Sequence, residues 1–305
     1  MTRRKETRGQ AYVITILFLA VLLAMAAGVL DIGSWYRADR KLQATVDAAA
    51  LAGAQALPDS TGDADALASQ YAAKNGGGSI DVSFSTQVFT NDTITVEATR
   101  PAPGFFSKIL GVDSVTVGAT ASARTGYPTE AKWVMPIVVD ENHPMLQCDP
   151  NPCSDPTELV YQHFKKNGSP DGSGNFGFIN LTGDKQGTSD LGALIENGWD
   201  EFMALGNYDA VTGNMFSSTS IDGNLEDRIG DILLFPIYRK LTGTGTGAKY
   251  EIVGWAGFRL TGIDVHGSNE KLFGNFESVT WEGIQAESAG DAPPDFGVKT
   301  VSLVN

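Results

Sequence analysis

The sequence predicts an α+β protein: a long N-terminal transmembrane and stalk helix, then a small α/β unit, then a β-rich, sandwich-like outer domain. Three observations carry this. Residues 11–30 run for 20 positions without a charge. Residues 44–56 hold alanine at seven of thirteen positions. Only five of the 35 glycines precede Gly76, and beyond it short alternating apolar runs are separated by glycine-rich connections, the pattern of strands and turns.

The uncharged run, AYVITILFLAVLLAMAAGVL, spans about 30 Å as a helix, the thickness of a bilayer's hydrocarbon core. Arg3, Arg4, Lys5 and Arg8 against Glu6 put a net +3 ahead of it, and positive flanks stay cytoplasmic. The expected organisation is a cytoplasmic basic tail at 1–10, a transmembrane helix at 11–33, a stalk helix at 34–57, a small α/β unit at 58–126 and a β-rich extracytoplasmic domain at 127–305. The lipid bilayer is thus the first expected partner, through residues 11–33, in a cell membrane crossed once. Trp35 and Tyr36 fall where an interfacial aromatic belt sits. A cleavable signal peptide is the competing reading, because Ala24-Met25-Ala26 forms a small-x-small site. The apolar run continues to Ile32 and the helical pattern carries on unbroken, which favours a retained anchor.

No proline interrupts the stalk before Pro58. Ile32, Trp35, Leu42, Val46, Ala49 and Gly53 recur at helical spacing and predict one apolar face. Ala48, Ala52 and Ala56 repeat every four residues, with Ala49 and Gly53 beside them. Such small side chains form a helix-packing face that another element can approach closely. That element is either the protein's own globular part or another subunit.

Gly9-Gln10-Ala11, the apolar span, Asp31-Ile32-Gly33, Leu42-Gln43 and the run Asp47-Ala48-Ala49-Ala50-Leu51-Ala52-Gly53-Ala54 together resemble the N-terminal region of TadE/TadG-like proteins. These are pilus-assembly or minor-pilin-like proteins of tight-adherence (Flp/Tad) systems. Ser173 through Phe178 and Asn197-Gly198 are similar to strings in their outer domains. The resemblance implies a membrane-anchored, extracytoplasmic component of pilus assembly, with other pilus-assembly or pilin-like subunits as partners and a pilin-like packing of the small α/β unit on the stalk. It also makes Gly9 a possible processing site. The fifth residue after Gly9 is Ile14, where processed pilins carry glutamate, so the resemblance points to a membrane-retained assembly or accessory protein. The alternative is an anchored or secreted binding module for a cell-envelope component.

In the small unit, Asp63–Asn75 reads as a helix stopped by Gly76-Gly77-Gly78. Alternation at Val82–Val88 and Ile94–Ala98 around Asn91-Asp92 reads as a hairpin. Phe105–Leu110 reads as a short helix capped by Gly111, and Val115–Ala121 as a third strand. The outer domain shows strands at Trp133–Val139, Phe176–Leu181, Ile232–Tyr238, Tyr250–Leu260, Phe276–Trp281 and Val298–Val304. Residues 242–248 join two of them as a loose hairpin, Pro236 marks an edge or a bulge, and Ser189 caps a short helix ending at Glu196. A sandwich or a partly open barrel is expected.

The formal net charge of −14 argues against nucleic acid, which needs a basic face. Cys148 and Cys153 are the only cysteines; outside the membrane so close a pair is expected to form a disulfide, with a zinc site using His143 and His163 as the other option. Asp171, Ser173 and Asn175 start like a calcium loop but lack its glycine and its closing glutamate, so a plain turn is expected. The glycines at 243–247 lack the Lys-Ser/Thr of a phosphate-binding loop, and no G-x-S-x-G occurs. His143, His163 and His266 read as surface or loop residues, a hydrolase dyad at Asp140-Glu141 would need a convergence in space that a sequence does not display, and Trp133, Trp199, Trp255 and Trp281 read as core. The expectation is a protein that is not an enzyme, with no catalytic, cofactor-binding or metal-ligating residue and no cofactor.

Overall fold

A computed structural model describes residues 8–148, 151–164, 170–171, 174–183, 187–213, 219–265 and 270–304. They gather into two compact units, one within residues 8–124 with 302–304 and one within residues 125–301.

The first unit is organised around α1 (Arg8–Ala54), a continuous helix of 47 residues and about 70 Å. The helix stops three residues before the expected end of the stalk. Gln55, Ala56 and Leu57 donate to the carbonyls of Ala52, Gly53 and Ala54 at 3.3, 3.1 and 3.2 Å, a tightened i→i−3 turn that leads into Pro58, before which an α conformation is disfavoured. Next comes α2 (Thr61–Lys74), whose Ser60 hydroxyl accepts from the Asp63 N–H at 3.1 Å, so the cap precedes the expected start. Its buried residues are Ala64, Ala68 and Ala72, one per turn. Gly76 and Gly77 follow at φ 115° and 67° and release the chain into a sheet.

That sheet pairs β1 (Ser79–Ser85) with β2 (Thr93–Pro103) and β2 with β3 (Ser114–Gly126), all antiparallel, in a register that sets Val82 opposite Val96 and Ile94 opposite Ala123. Ile94, Val96 and Ala98 turn inward and are buried, with β2 packed on α1. The expected short helix is a 3-10 turn at Ser107–Leu110, closed by Gly111 at φ 84°.

The β1–β2 turn is held by one carboxylate. Asp92 is buried and accepts from the N–H groups of Gln87, Val88 and Phe89 at 2.9, 2.6 and 2.8 Å, and from the Thr93 hydroxyl at 2.8 Å. Burial opposes its charge, but these donors outweigh it and hold the carboxyl below its ordinary pKa. Asp92→Ala orphans the donors and is expected to cost about 2 kcal/mol. A carboxyl with a depressed folded pKa contributes its stability above the ordinary value, near 4, and loses it as pH falls through the folded one. The gap between wild type and Asp92→Ala, followed by hydrogen exchange of residues 86–96 in detergent, should therefore be full at neutral pH and shrink below about pH 4.

The second unit contains β4 (Pro128–Ala131), β5 (Ile137–Asp140), β6 (Thr157–Val160), the two-residue pair β7 (His163–Phe164) and β8 (Pro170–Asp171), and β9 (Phe176–Ile179). There follow α3 (Thr188–Asn197), β10 (Met203–Ala204), β11 (Gly206–Val211), α4 (Thr219–Asp227), β12 (Ile232–Thr242), β13 (Lys249–Asp264), β14 (Lys271–Glu277), β15 (Val279–Thr280), β16 (Gly283–Gln285) and β17 (Val298–Val304), whose last residues belong to the first unit. The main sheet runs β11-β9-β5-β12-β13-β14-β6, and β11 also pairs with β13. Five strands thus close a ring, so of the two expected architectures the barrel is the one formed, extended on one side by β14 and β6. A second sheet, β10-β4-β16, is separate.

Both faces of the ring are covered, which is why its strands read as continuous apolar runs. Leu233, Phe235 and Ile237 share one cluster with Leu191 and Ile195 of α3 and Ile221 and Leu225 of α4. Leu234 and Tyr238 face the other way, toward Tyr250, Ile252, Trp255 and Met203. The Phe235 and Phe258 rings stack at 5.3 Å. Gly177 is required where the Tyr250 hydroxyl lies over it, since a Cβ there would collide with it.

Several expectations are corrected. Pro236 is on no edge, because β12 lies between β5 and β13. Leu234 and Tyr238 turn their carbonyls toward the β5 side, to the Met135 and Glu141 N–H groups, so the alternate residue Pro236 aims its missing N–H there too. Regular β5 pairing begins only at Ile237, and the expected bulge follows at once, between Ile237 and Lys240. Residues 133–136 are not strand, as Trp133 sits at φ 58°. The cap of α3 is Gly187 and not Ser189; its N–H donates to the Asp190 carboxylate at 2.9 Å. The helix α4 was not foreseen; only Ile221 and Leu225 mark its buried face.

Candidate membrane anchor and packing site

Helix α1 has two halves of opposite character. From Tyr12 to Leu30 every large apolar side chain is exposed, Tyr12, Phe18 and Leu23 among them. The most apolar 18-residue window has a mean hydropathy of 2.9 and is wholly unburied. In water such a surface would cost on the order of 25 cal/mol per Å2; in a bilayer it costs nothing. One N-terminal apolar helix of this length fits a single-pass membrane anchor. Gly9 lies in its first turn and Ile14 is exposed on it.

From Leu42 onward the same helix is a core element. Leu42, Val46, Ala49, Ala50, Ala52, Gly53 and Ala54 are buried, and Ala48 and Ala56 half-buried. The small residues therefore pack the helix inside its own unit, between α2 and β2. A Cβ on Gly53 would lie 2.5 Å from Ile94 Cδ1, 2.9 Å from the Ala64 carbonyl oxygen and 3.2 Å from Ala68 Cβ. Of the two elements that could occupy this face, the protein's own globular part does so. Polar bonds frame it: the Thr45 hydroxyl donates to the carbonyls of Lys41 and Asn75 at 2.9 and 2.8 Å, and Arg100 Nη2 to that of Ala38 at 3.1 Å.

Where the halves meet stands Asp31, 2% exposed. Its carboxylate accepts from the N–H groups of Phe105 and Ser107 at 2.8 and 2.6 Å, and from that of Phe106 at 3.2 and 3.1 Å. It pins the β2–β3 connection to the end of the apolar segment. Sequence reasoning passed over it, and the signal was there. Eleven residues are close to three helical turns, so Asp31 falls within about 20° of Leu42. Ile32, assigned to the buried face, is turned some 80° away from Leu42 and is 63% exposed. Trp35 is half-buried, its ring 3.5 Å from where a Cβ on Gly104 would sit; Tyr36 is exposed, with the Arg40 guanidinium 5.1 Å over its ring.

The outer unit gathers its notable residues into structural roles. Cys148 and Cys153 are bonded to each other with Cα atoms 5.6 Å apart, which leaves no thiolate for zinc. His143 is buried, contrary to expectation, edge-on to Phe276 at 5.4 Å; burial lowers its pKa. The His163 Nε2 lies 2.7 Å from the Glu270 carboxylate; His266 lies outside the described residues. Asp140 accepts from the Asn142 N–H at 2.8 Å and from the Tyr238 hydroxyl at 3.3 Å, while Glu141 pairs with Arg239 at 3.2 Å. Asn175 Oδ1 accepts from the Val160 N–H at 2.7 Å, although Gly172 and Ser173 of that loop lie outside the described residues. Among the described residues no cluster of His, Cys, Asp or Glu is placed to hold a metal ion. Trp255 is core, donating to the Pro128 carbonyl at 2.9 Å, and Trp199 and Trp281 are partly buried. Trp133 is not core: it is 46% exposed.

Residues 9–56 match the family model described as a putative Flp pilus-assembly TadE/G-like domain. No curated protein and no solved structure shows significant similarity to the chain.

Proposed function

We propose that this protein, whose residues 9–56 match the TadE/G-like pilus-assembly model, is a membrane-anchored, extracytoplasmic component of a Tad/Flp-type pilus assembly system, minor-pilin-like or accessory in role. The observation that supports it is the two-sided use of α1. One half is apolar and unburied over the thickness of a bilayer; the other is the spine of a folded unit. The basic residues ahead of the helix orient it with the N-terminus in the cytoplasm and the folded body outside. Other pilus-assembly or pilin-like subunits are the partners in this reading, and the role is non-enzymatic.

The test is the intact mass of the protein from its native membranes, with protease added to spheroplasts. A full-length mass and a body digested from outside support a retained anchor. A mass lacking residues 1–9 would make it a processed fibre component, and a mass lacking residues through Ala26 would end the anchored reading.

One observation favours a second reading, an anchored binding module for an envelope component. Trp133, Phe202 and Ile284 are 46%, 42% and 46% exposed, and Lys132 lies 4.8 Å over the Phe202 ring and 3.7 Å from Glu282. Aromatic surface framed by charge is the composition of a contact site. Trp133→Ala should weaken retention on cell-envelope fractions, with folding unchanged by circular dichroism; retention equal to wild type would remove this reading.

A further inference from the structure

The connection between β2 and β3 reads Gly104-Phe105-Phe106-Ser107-Lys108-Ile109-Leu110-Gly111-Val112. A link between two strands that runs through water is expected to be polar. This one leaves Phe105 70%, Ile109 82% and Leu110 84% exposed, with Phe106 and Val112 each at 43%. So dense a run of uncovered apolar side chains marks a surface that something else covers.

Its position says what. The connection lies along α1, and the two enclose an open groove of about 540 Å3 lined by Leu23, Ala27 and Leu30 of the helix and Phe106, Ile109 and Leu110 of the connection. The uncharged segment of α1 is close to the length needed to cross a hydrocarbon core, so Leu23 lies within it. Ile109 and Leu110 line one groove with Leu23, which lies roughly 12 Å deeper along the helix than Asp31. Asp31 fixes the connection there through three backbone N–H groups. Those groups would otherwise meet hydrocarbon without an acceptor, and the carboxylate would otherwise be an unpaired charge at the end of a membrane span. Lys108, exposed within the same turn, has a stem long enough to carry its ammonium back to the lipid phosphates.

We propose that residues 104–112 form a second membrane contact: a loop that enters the leaflet from which the body emerges, with Phe105, Phe106, Ile109 and Leu110 among lipid acyl chains and Asp31 joining it to the anchor. The first unit is then seated on the bilayer at two points and cannot swing about a single helix. This rests on the anchored reading above.

The full-length protein, with its native cysteines oxidised, is labelled with the fluorophore NBD at one added cysteine, Ile109→Cys, and reconstituted into phosphatidylcholine–phosphatidylglycerol vesicles. Leu22→Cys reports on the anchor and Asp81→Cys, on exposed β1, reports on water. The expected result is that the label at 109 loses most of its emission to doxyl-labelled lipid, as at 22, and resists aqueous iodide, the reverse of 81. A label at 109 quenched by iodide and not by lipid, with 22 still lipid-quenched, overturns the loop's insertion and leaves the anchor standing. Protection at 109 from both quenchers overturns it too, because protein then covers the loop. If the label at 22 escapes lipid quenching, both readings fall together.

Discussion

Gly53→Leu is expected to destabilise the first unit by about 3 kcal/mol, the cost of overpacking a filled site. The contacts explain the size. Ile94 Cδ1, 2.5 Å from the new Cβ, is a flexible tip that can rotate, but the Ala64 carbonyl at 2.9 Å is backbone of α2, and Ala68 Cβ at 3.2 Å has nowhere to turn. The whole of α2 must shift, and it is the element that closes the small-residue face. Gly53→Ala meets the same atoms with less volume and regains up to about 1 kcal/mol of helix propensity, so its loss should be smaller. Gly33→Ala is the control, because a Cβ there meets nothing within 4 Å, and it should leave the protection of α2 unchanged. Hydrogen exchange of α2 amides in detergent checks the ranking. Equal protection in Gly53→Leu and Gly33→Ala would mean that the close approach of α1 to α2 contributes nothing.

Asp31→Ala is expected to free the β2–β3 connection from the helix. Three N–H groups lose a charged acceptor at once, and hydrogen bonds to charged groups are among the stronger in proteins. Exchange at Phe105, Phe106 and Ser107 should accelerate by on the order of a hundredfold, while α2 and the sheet pairs of β1 and β2 hold their protection. Asp31→Asn keeps one carbonyl acceptor and should fall between the two. In the labelled protein, Asp31→Ala should also lower lipid quenching at residue 109 and leave that at 22 unchanged. Unchanged exchange at all three amides would show that the carboxylate does not hold the loop.

Much of this protein is written in short-range pattern. The anchor needs only an uncharged run of sufficient length, and the burial of Leu42, Val46, Ala49 and Gly53 follows from helical spacing. The β1–β2 hairpin follows from alternation around a turn, Gly111 ends the 3-10 turn at a positive φ, and the cysteine pair lies close enough in the chain to bond. Each involves residues a few positions apart, whose geometry the local backbone already dictates.

What no local pattern contains is which distant surface covers which face. The small-residue stripe of α1 could accept a foreign helix or its own α2 and β2, and only the folded unit assigns it to its own. Asp31 finds its partners 74 to 76 positions away. Pro236 reads as an edge or a bulge residue; the pairing shows it in the middle of a sheet, next to a bulge and in a gap that needs no donor. Closure of β11 onto β13 turns a sheet into a ring, and Trp133, at a positive φ, is exposed where its sequence reads as core. Spacing tells a side chain which way to point; the identity of what it meets is settled by contacts between segments far apart in the chain, whose free energy depends on the whole assembled fold.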